Sequence, residues 1–345
     1  MWTGDDLWNE TMEAAFSAVY PNVKLESTHL AWGDYLQKLS TSLASGLEVP
    51  DVINAEVGWR MRVFDMGILE NLEAAPYNLD RNDMFEYLWP RCEDKNGNIV
   101  GIEMQITPAA IAFRNDLAKE FLNIEDKDTF IEQLGQGEGY EGYITVGKAF
   151  NEATGGEKTM FAGLGDAWEI VYRQNDTPLV NEDGSLNVSG NIEPCVEWMV
   201  KFMDNGLIGT IDEWTPQWEA AWALGDTLLF PAATWTLTSL EKDRDPDGAG
   251  HWTLAVPPGG AFSWGGTTMS IYSEGKNLDT TWEFIRWTGW DLAGAQAAKD
   301  RDYQLSRVSN YEADPSLLNK QDDYLGIDLF KFWGEECVDS AIAVV

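Results

Sequence analysis

The chain is poor in positive charge, histidine and cysteine, and it has no long apolar run. Only 23 of its 345 residues are Lys or Arg, against 58 Asp or Glu, and with two histidines counted neutral the net charge is −35. By the usual scaling of folded surface with mass, this is about one net negative charge per 400 Å². Such a surface repels phosphate backbones and anionic headgroups, which argues against nucleic-acid binding and against peripheral membrane binding. The three cysteines (Cys92, Cys195, Cys337) form no CxxC pair. An odd, widely spaced set supplies neither a disulfide framework nor a zinc signature, and the three are read as buried or incidental thiols. No run of 18 apolar residues exists to span a membrane. The opening Met1-Trp2-Thr3 leads straight into Gly4-Asp5-Asp6 and does not read as a secretory leader. His29 and His251 lie in no HExxH and beside no GxSxG, which disfavours a histidine-activated nucleophile.

What is present describes a globular protein: 44% hydrophobic, 12% aromatic and 23% charged residues. The length exceeds what one core usually organises, so two lobes are expected. Trp8, Met12, Ala15, Phe16 and Val19 recur at helical steps after Asp5 and Asp6, and Tyr20-Pro21 ends that helix. Val23 and Leu25 read as a short strand, and a helix follows from Asp34 through Leu36, Leu39 and Leu43 to Gly46. A strand is expected at residues 49–53, then a short helix carrying Val63, Phe64 and Met66 up to Gly67. Further helices are expected at 191–205, 216–224 and 279–288, and strands at 227–230 and 267–272. On the helix at 191–205, Ile192, Cys195, Val196, Met199, Phe202 and Met203 share one stripe. Strand–helix alternation of this kind marks an α/β architecture.

Several motifs fail on inspection. Residues 137–142 spell GEGYEG without a preceding apolar strand, and 142–148 spell GYITVGK with Ala149 where a phosphate loop needs Ser or Thr. Both read as a loop and a helix start. Asp243, Asp245 and Asp247 resemble the opening of a calcium loop, but Leu254 occupies the place of its bidentate Glu, so an acidic turn is favoured and no metal is expected. Carboxylate pairs for glycoside hydrolysis cannot be singled out among 58 acids.

Tryptophan is the unusual component, with 17 residues. Trp2, Trp32, Trp59, Trp168, Trp235 and Trp264 fall near strand ends or loop–helix junctions. Any one of these rings reads as core packing. As a set they suit a carbohydrate or aromatic ligand, because a flat ring covers the C–H face of a sugar while acids and amides take its hydroxyls.

The order of segments resembles the extracellular solute-binding proteins of ABC importers, in the sugar-binding branch that includes maltose-binding protein. Phe16 with Tyr20-Pro21-Asn22-Val23-Lys24-Leu25 is similar to that family's F…YPxVKV element. Trp32-Gly33-Asp34-Tyr35, Lys38-Leu39, Ser45-Gly46 and Pro50-Asp51-Val52 are similar to its WxDYxxKL…ASGxxPDV. Gly67-Ile68-Leu69 and the hairpin Asn96-Gly97-Asn98-Ile99-Val100-Gly101 follow in order. So do Phe113-Arg114-Asn115-Asp116-Leu117, Gly225-Asp226 through Trp235, and Val256-Pro257-Pro258-Gly259-Gly260 with Trp264-Gly265-Gly266. Two positions depart from the pattern: Glu103 stands where the family has Pro, and Arg114 where Asn is more usual.

The resemblance implies an α/β, two-lobed periplasmic-binding-protein-like fold with a ligand cleft between lobes and a hinge. One lobe would be residues 1–107 plus 263–306, the other 108–262 plus 307–345. Ligand contacts would come from Asp5, Asp6, Trp32, Glu56, Trp59, Gln105, Thr107, Asp166, Trp168, Trp235, Trp264, Gly265 and Gly266. It further implies a monomeric, non-catalytic receptor without a cofactor, which delivers a sugar or short oligosaccharide to ABC permease subunits. The protein would be extracytoplasmic, its leader absent from this sequence and both ends trimmed. Two alternatives remain open from the residues themselves: a secreted glycoside-active enzyme, and the same fold binding a cation such as a polyamine.

Overall fold

The structure is a computed structural model and describes residues 1–4, 6–181, 183–240, 244–300 and 302–338. Its strands in chain order are β1 (Trp2–Thr3), β2 (Thr28–His29), β3 (Val52–Glu56), β4 (Ile102–Glu103), β5 (Pro108–Arg114), β6 (Leu229–Ala233), β7 (Trp252–Ala255), β8 (Phe262–Ser263), β9 (Thr267–Ile271), β10 (Gln321–Asp322) and β11 (Ile327–Asp328). The chain forms two compact units: Met1–Ile106 with Gly265–Lys320, and Thr107–Trp264 with the segment from Gln321 onward. This corrects the expected assignment of residues 307–320 to the second lobe. The helix Val308–Ala313 is anchored in the first unit, where Asp83 accepts from Arg307 Nε at 2.6 Å, from the Ser309 amide at 2.8 Å and from Ser309 Oγ at 2.7 Å. Residues 263 and 264 move the other way, because β8 pairs with β5.

In the first unit β3, β9 and β4 form an antiparallel sheet, and β1 pairs with β2 in parallel. The helix Asp6–Val19 buries Trp8, Met12 and Phe16, and the Phe16 ring meets Phe284 edge-on at 5.1 Å. Phe284 lies on the helix Leu278–Gly289. The helix Trp32–Ser45 starts two residues before Asp34 and closes on Gly46, whose φ of 62° lets the Leu47 amide reach the Ser42 carbonyl at 2.9 Å. Two strand expectations shift. Val23 and Leu25 stay outside any strand, because the partner of β1 falls later, at Thr28–His29. The strand expected at 49–53 runs Val52–Glu56, since Pro50 has no amide to donate and β9 pairs from Val52 onward.

In the second unit β5 is central, flanked by β6 and by β7 with β8, all antiparallel. Strand β6 runs through Pro231 instead of stopping at it. Pro231 faces Ile111 from the end position of the strand order, where a missing N–H costs no ladder bond. Trp222 stacks on Phe230 at 4.1 Å, and Trp218, Trp222 and Trp252 are fully buried around it. Residues 137–142 turn into the helix Glu141–Ala153, and Gly142 admits the Leu134 carbonyl where a Cβ would stand 2.2 Å away. The helix Glu193–Asp204 has a narrower inward face than expected. Cys195, Met199 and Phe202 are buried, while Val196 and Met203 are 45% and 58% exposed. All three cysteines are buried. Among the described residues no helix is long and apolar enough to cross a membrane.

Because Phe230 is fully buried between Trp222 and the rest of this core, Phe230→Ala should lower the unfolding free energy by about 3–5 kcal/mol. Chemical denaturation checks this, and a loss below about 1 kcal/mol would contradict the packing described.

Candidate functional site

The register of β5 builds a tryptophan cluster. Ala109 pairs with Ala233 on one side and with Phe262 on the other. The chain leaves β6 through Thr234-Trp235 and leaves β8 through Trp264, so both rings emerge beside the start of β5. The Trp264 amide donates to the Thr107 carbonyl at 3.1 Å, and Trp235 Nε1 donates to the Trp264 carbonyl at 3.1 Å. The Trp235 and Trp264 rings lie 4.8 Å apart. A third ring, Trp214, stacks on Trp235 at 5.5 Å and 24°, and is 60% exposed.

Trp214 is the member that sequence reasoning missed. It has a φ of 63°, a left-handed conformation that a bulky side chain adopts only under constraint. The constraint is visible on both sides. Thr215 caps the helix Pro216–Leu224 and donates to the Asp212 carbonyl at 2.7 Å, while the Ile211 amide donates to the Ala162 carbonyl at 3.0 Å. Gly163 permits that approach, since a Cβ there would stand 1.8 Å from the Ile211 carbonyl oxygen. The available signal was a Trp in polar company directly before a Thr-Pro helix start.

The first unit gathers a second aromatic group. Tyr35 is buried, stacks on Trp59 at 5.0 Å and 22°, and lies 6.0 Å from Trp32 and 5.9 Å from Trp2. Its hydroxyl accepts from the Asn54 amide at 2.9 Å, and burial holds that phenol well above its ordinary pKa. Gly4 lies against the Trp32 ring. Glu56 and Trp59 are half-buried, and the Val57 amide donates to the Gly266 carbonyl at 2.9 Å. Thus Glu56 and Gly266, with Gly265 before it, share one end of the β3–β9 pairing, Trp59 follows three residues after Glu56, and Trp32 joins the group through Tyr35. Tyr35 was not foreseen as their support.

Other expected contacts sit differently. Gln105, Thr107 and Trp264 are buried, at 8%, 1% and 3% exposure, so Trp264 backs the cluster and presents little ring surface. Trp168 is half-buried and stacks on Tyr172, one turn along the same helix. Asp166 has no free face: it is fully buried, with Oδ1 accepting from Trp218 Nε1 at 2.8 Å and Oδ2 from the Gly163 amide at 3.0 Å. In this structure it acts as a cap and a tether. Asp5 and Asp243 lie outside the described residues, as does the side chain of Asp6. Asp245 turns inward to accept from Trp252 Nε1 at 2.9 Å, away from exposed Asp247, which removes it from a calcium loop.

The model of the family described as bacterial extracellular solute-binding protein matches residues 11–310. This protein belongs to that family. A curated relative, the lactose-binding protein of Rhizobium radiobacter, is 24% identical over 94% of this chain and 78% of its own length. A crystal structure of an extracellular solute-binding protein of family 1 superposes with a TM-score of 0.86 at 18% identity, covering 100% of this chain and 88% of that one. The GacH receptor of Streptomyces glaucescens, studied unliganded and with acarbose, gives 0.76 at 19% identity over 99% and 87%. The fold is therefore the two-lobed fold of solute-binding proteins.

In this solute-binding protein the aromatic cluster has an acidic floor. Gly165 admits the Glu213 carboxyl, which would stand 2.6 Å from a Cβ there. Burial pushes Glu213 up to about 8, with Asp166 and Glu169 adding repulsion and Arg173 opposing it. Burial likewise pushes Asp166 up to about 7, against the lowering effect of its bonds to Trp218 and Gly163. A carboxyl whose pKa is raised on folding binds protons more tightly in the native state. Its contribution is whole below the unfolded value near 4 and is lost as pH rises through the folded value. Glu213→Gln should therefore stabilise the protein by on the order of 1–2 kcal/mol at pH 9 and leave it almost unchanged at pH 4. Melting curves across that range check this, and a Glu213→Gln effect that does not depend on pH would contradict it.

Proposed function

We propose that this protein is the non-catalytic substrate-binding component of an ABC importer, capturing a sugar or short oligosaccharide outside the cytoplasm and delivering it to a membrane permease. The observation that carries the reading is the Trp214–Trp235 stack backed by Trp264 in the second unit. An indole 60% exposed and held in strained backbone is poorly used as core packing, and its flat apolar face matches the C–H face of a pyranose. Half-buried Trp32, Trp59 and Glu56 in the first unit offer a second aromatic and acidic surface of the same character. The names of its relatives agree in class, one binding lactose and another solved with acarbose.

A thermal-shift screen over a carbohydrate panel tests the reading, because a ligand at 100 times its Kd adds about 2.7 kcal/mol. Spermidine in the same screen tests the cationic alternative, and product analysis after incubation tests the enzymatic one. Within this account Trp235→Ala should weaken the best sugar by roughly 5- to 150-fold, the equivalent of about 1–3 kcal/mol. Its stability loss should stay below the roughly 3–5 kcal/mol of a core aromatic. Calorimetric titration and a melting curve on the same variant measure both. Unchanged affinity with a collapsed melting temperature would make Trp235 a packing residue.

A further inference from the structure

The interior of the first unit holds three charged side chains that neither the fold nor ligand stacking accounts for. Arg60, Arg91 and Glu103 are 2%, 3% and 0% exposed. Arg60 Nη1 donates to Glu103 Oε1 at 2.6 Å, and Arg91 Nε lies 3.4 Å from the same oxygen. Arg60 Nη1 also donates to the Arg91 carbonyl at 2.9 Å, which ties the short helices Arg60–Phe64 and Trp89–Cys92 together. The outward donors of the two guanidiniums then go to consecutive residues of one turn. Arg60 Nη2 donates to the Gly266 carbonyl at 2.7 Å, and Arg91 Nη2 donates to the Gly265 carbonyl.

That turn is where the chain re-enters the first unit, and both its glycines have positive φ, 77° and 115°. Glycines in such a conformation hold no shape of their own, so something else must fix them. Burying two guanidiniums against one carboxylate is expensive, and a hydrophobic filling of the same volume would serve stability as well or better. What a hydrophobic filling cannot do is grip two adjacent carbonyls from fixed directions, as planar guanidiniums do. Glu103 in turn sits in β4, two residues before Gln105, and Arg60 directly follows Trp59. Of the residues proposed above as ligand contacts in this unit, Trp59, Gln105, Gly265 and Gly266 thus adjoin the triad in sequence or by hydrogen bond.

We propose that Arg60, Arg91 and Glu103 are positioning residues that lock the Gly265–Gly266 turn into its ligand-competent shape without touching ligand. The link to ligand rests on the solute-binding reading given above, whereas the hold on the turn does not. Amide hydrogen exchange on the unliganded full chain reads the hold directly. In Glu103→Gln, exchange of a peptide covering residues 265–267 and of the Val57 amide should speed up at least tenfold, with that of β5 unchanged. Arg91→Lys keeps the buried charge but loses the planar second donor, so it gives the same local signature should Glu103→Gln fail to fold. Calorimetric titration with the tightest sugar of the wild-type panel then reads the link, with at least a tenfold rise in Kd expected for either folded variant. Unchanged exchange at 265–267 in a folded variant overturns the proposal. Faster exchange with unchanged Kd overturns the link to affinity. Faster exchange in a protein whose wild type binds no carbohydrate supports the triad's hold on the turn and counts against the functional reading alone.

Discussion

All seven residues of Pro108–Arg114 are buried, so every peptide group of that strand must find its partner inside the protein. The second unit is arranged around this requirement. Strands β6, β7 and β8 supply the bonds, and their registers leave Ala233 and Phe262 facing each other across Ala109. Once that register is set, Trp235 and Trp264 follow two residues beyond on either side, and their meeting needs no further device. The candidate ligand surface is in this sense a by-product of satisfying one strand's backbone.

Charge is used in two ways in this strongly acidic chain. Most of the carboxylates among the described residues are at least partly exposed to water. A few are taken inside, and three of these lie beside the candidate surfaces. Asp166 holds Trp218 and the first turn of the helix Leu164–Arg173, Glu213 fills the space that Gly165 leaves under the loop carrying Trp214, and Glu103 gathers two arginines behind Gly265-Gly266. Desolvating a carboxyl is costly wherever it occurs. Its recurrence beside these surfaces is where a binding protein would be expected to spend stability on shape.

The helical part of this architecture was legible because its punctuation is chemical. Tyr20-Pro21, Gly46 and Gly225 end helices where their backbone preferences dictate, and the helix Pro216–Leu224 has the bounds its residues suggest. Short strands were less legible. Whether Val23-Leu25 or Thr28-His29 pairs depends on where β1 lies, which no local pattern records. The helix Glu193–Asp204 shows the related limit: six apolar residues formed a plausible stripe, yet the neighbours available to bury them cover only the line through Cys195, Met199 and Phe202. Trp235 could be picked out because its sequence neighbours are small and polar. Trp214 could not be ranked above other rings without its left-handed backbone, and no local pattern records that both oxygens of Asp166 are engaged by Trp218 and Gly163.

The central claim is that the Trp214 and Trp235 rings receive the ligand. The most direct measurement is a crystal structure with the tightest sugar from the panel bound. The account predicts a pyranose face within about 4 Å of the Trp214 or Trp235 ring, with Trp264 behind and Asp166 still bonded to Trp218. A sugar bound elsewhere, with both rings in contact only with protein, would contradict it.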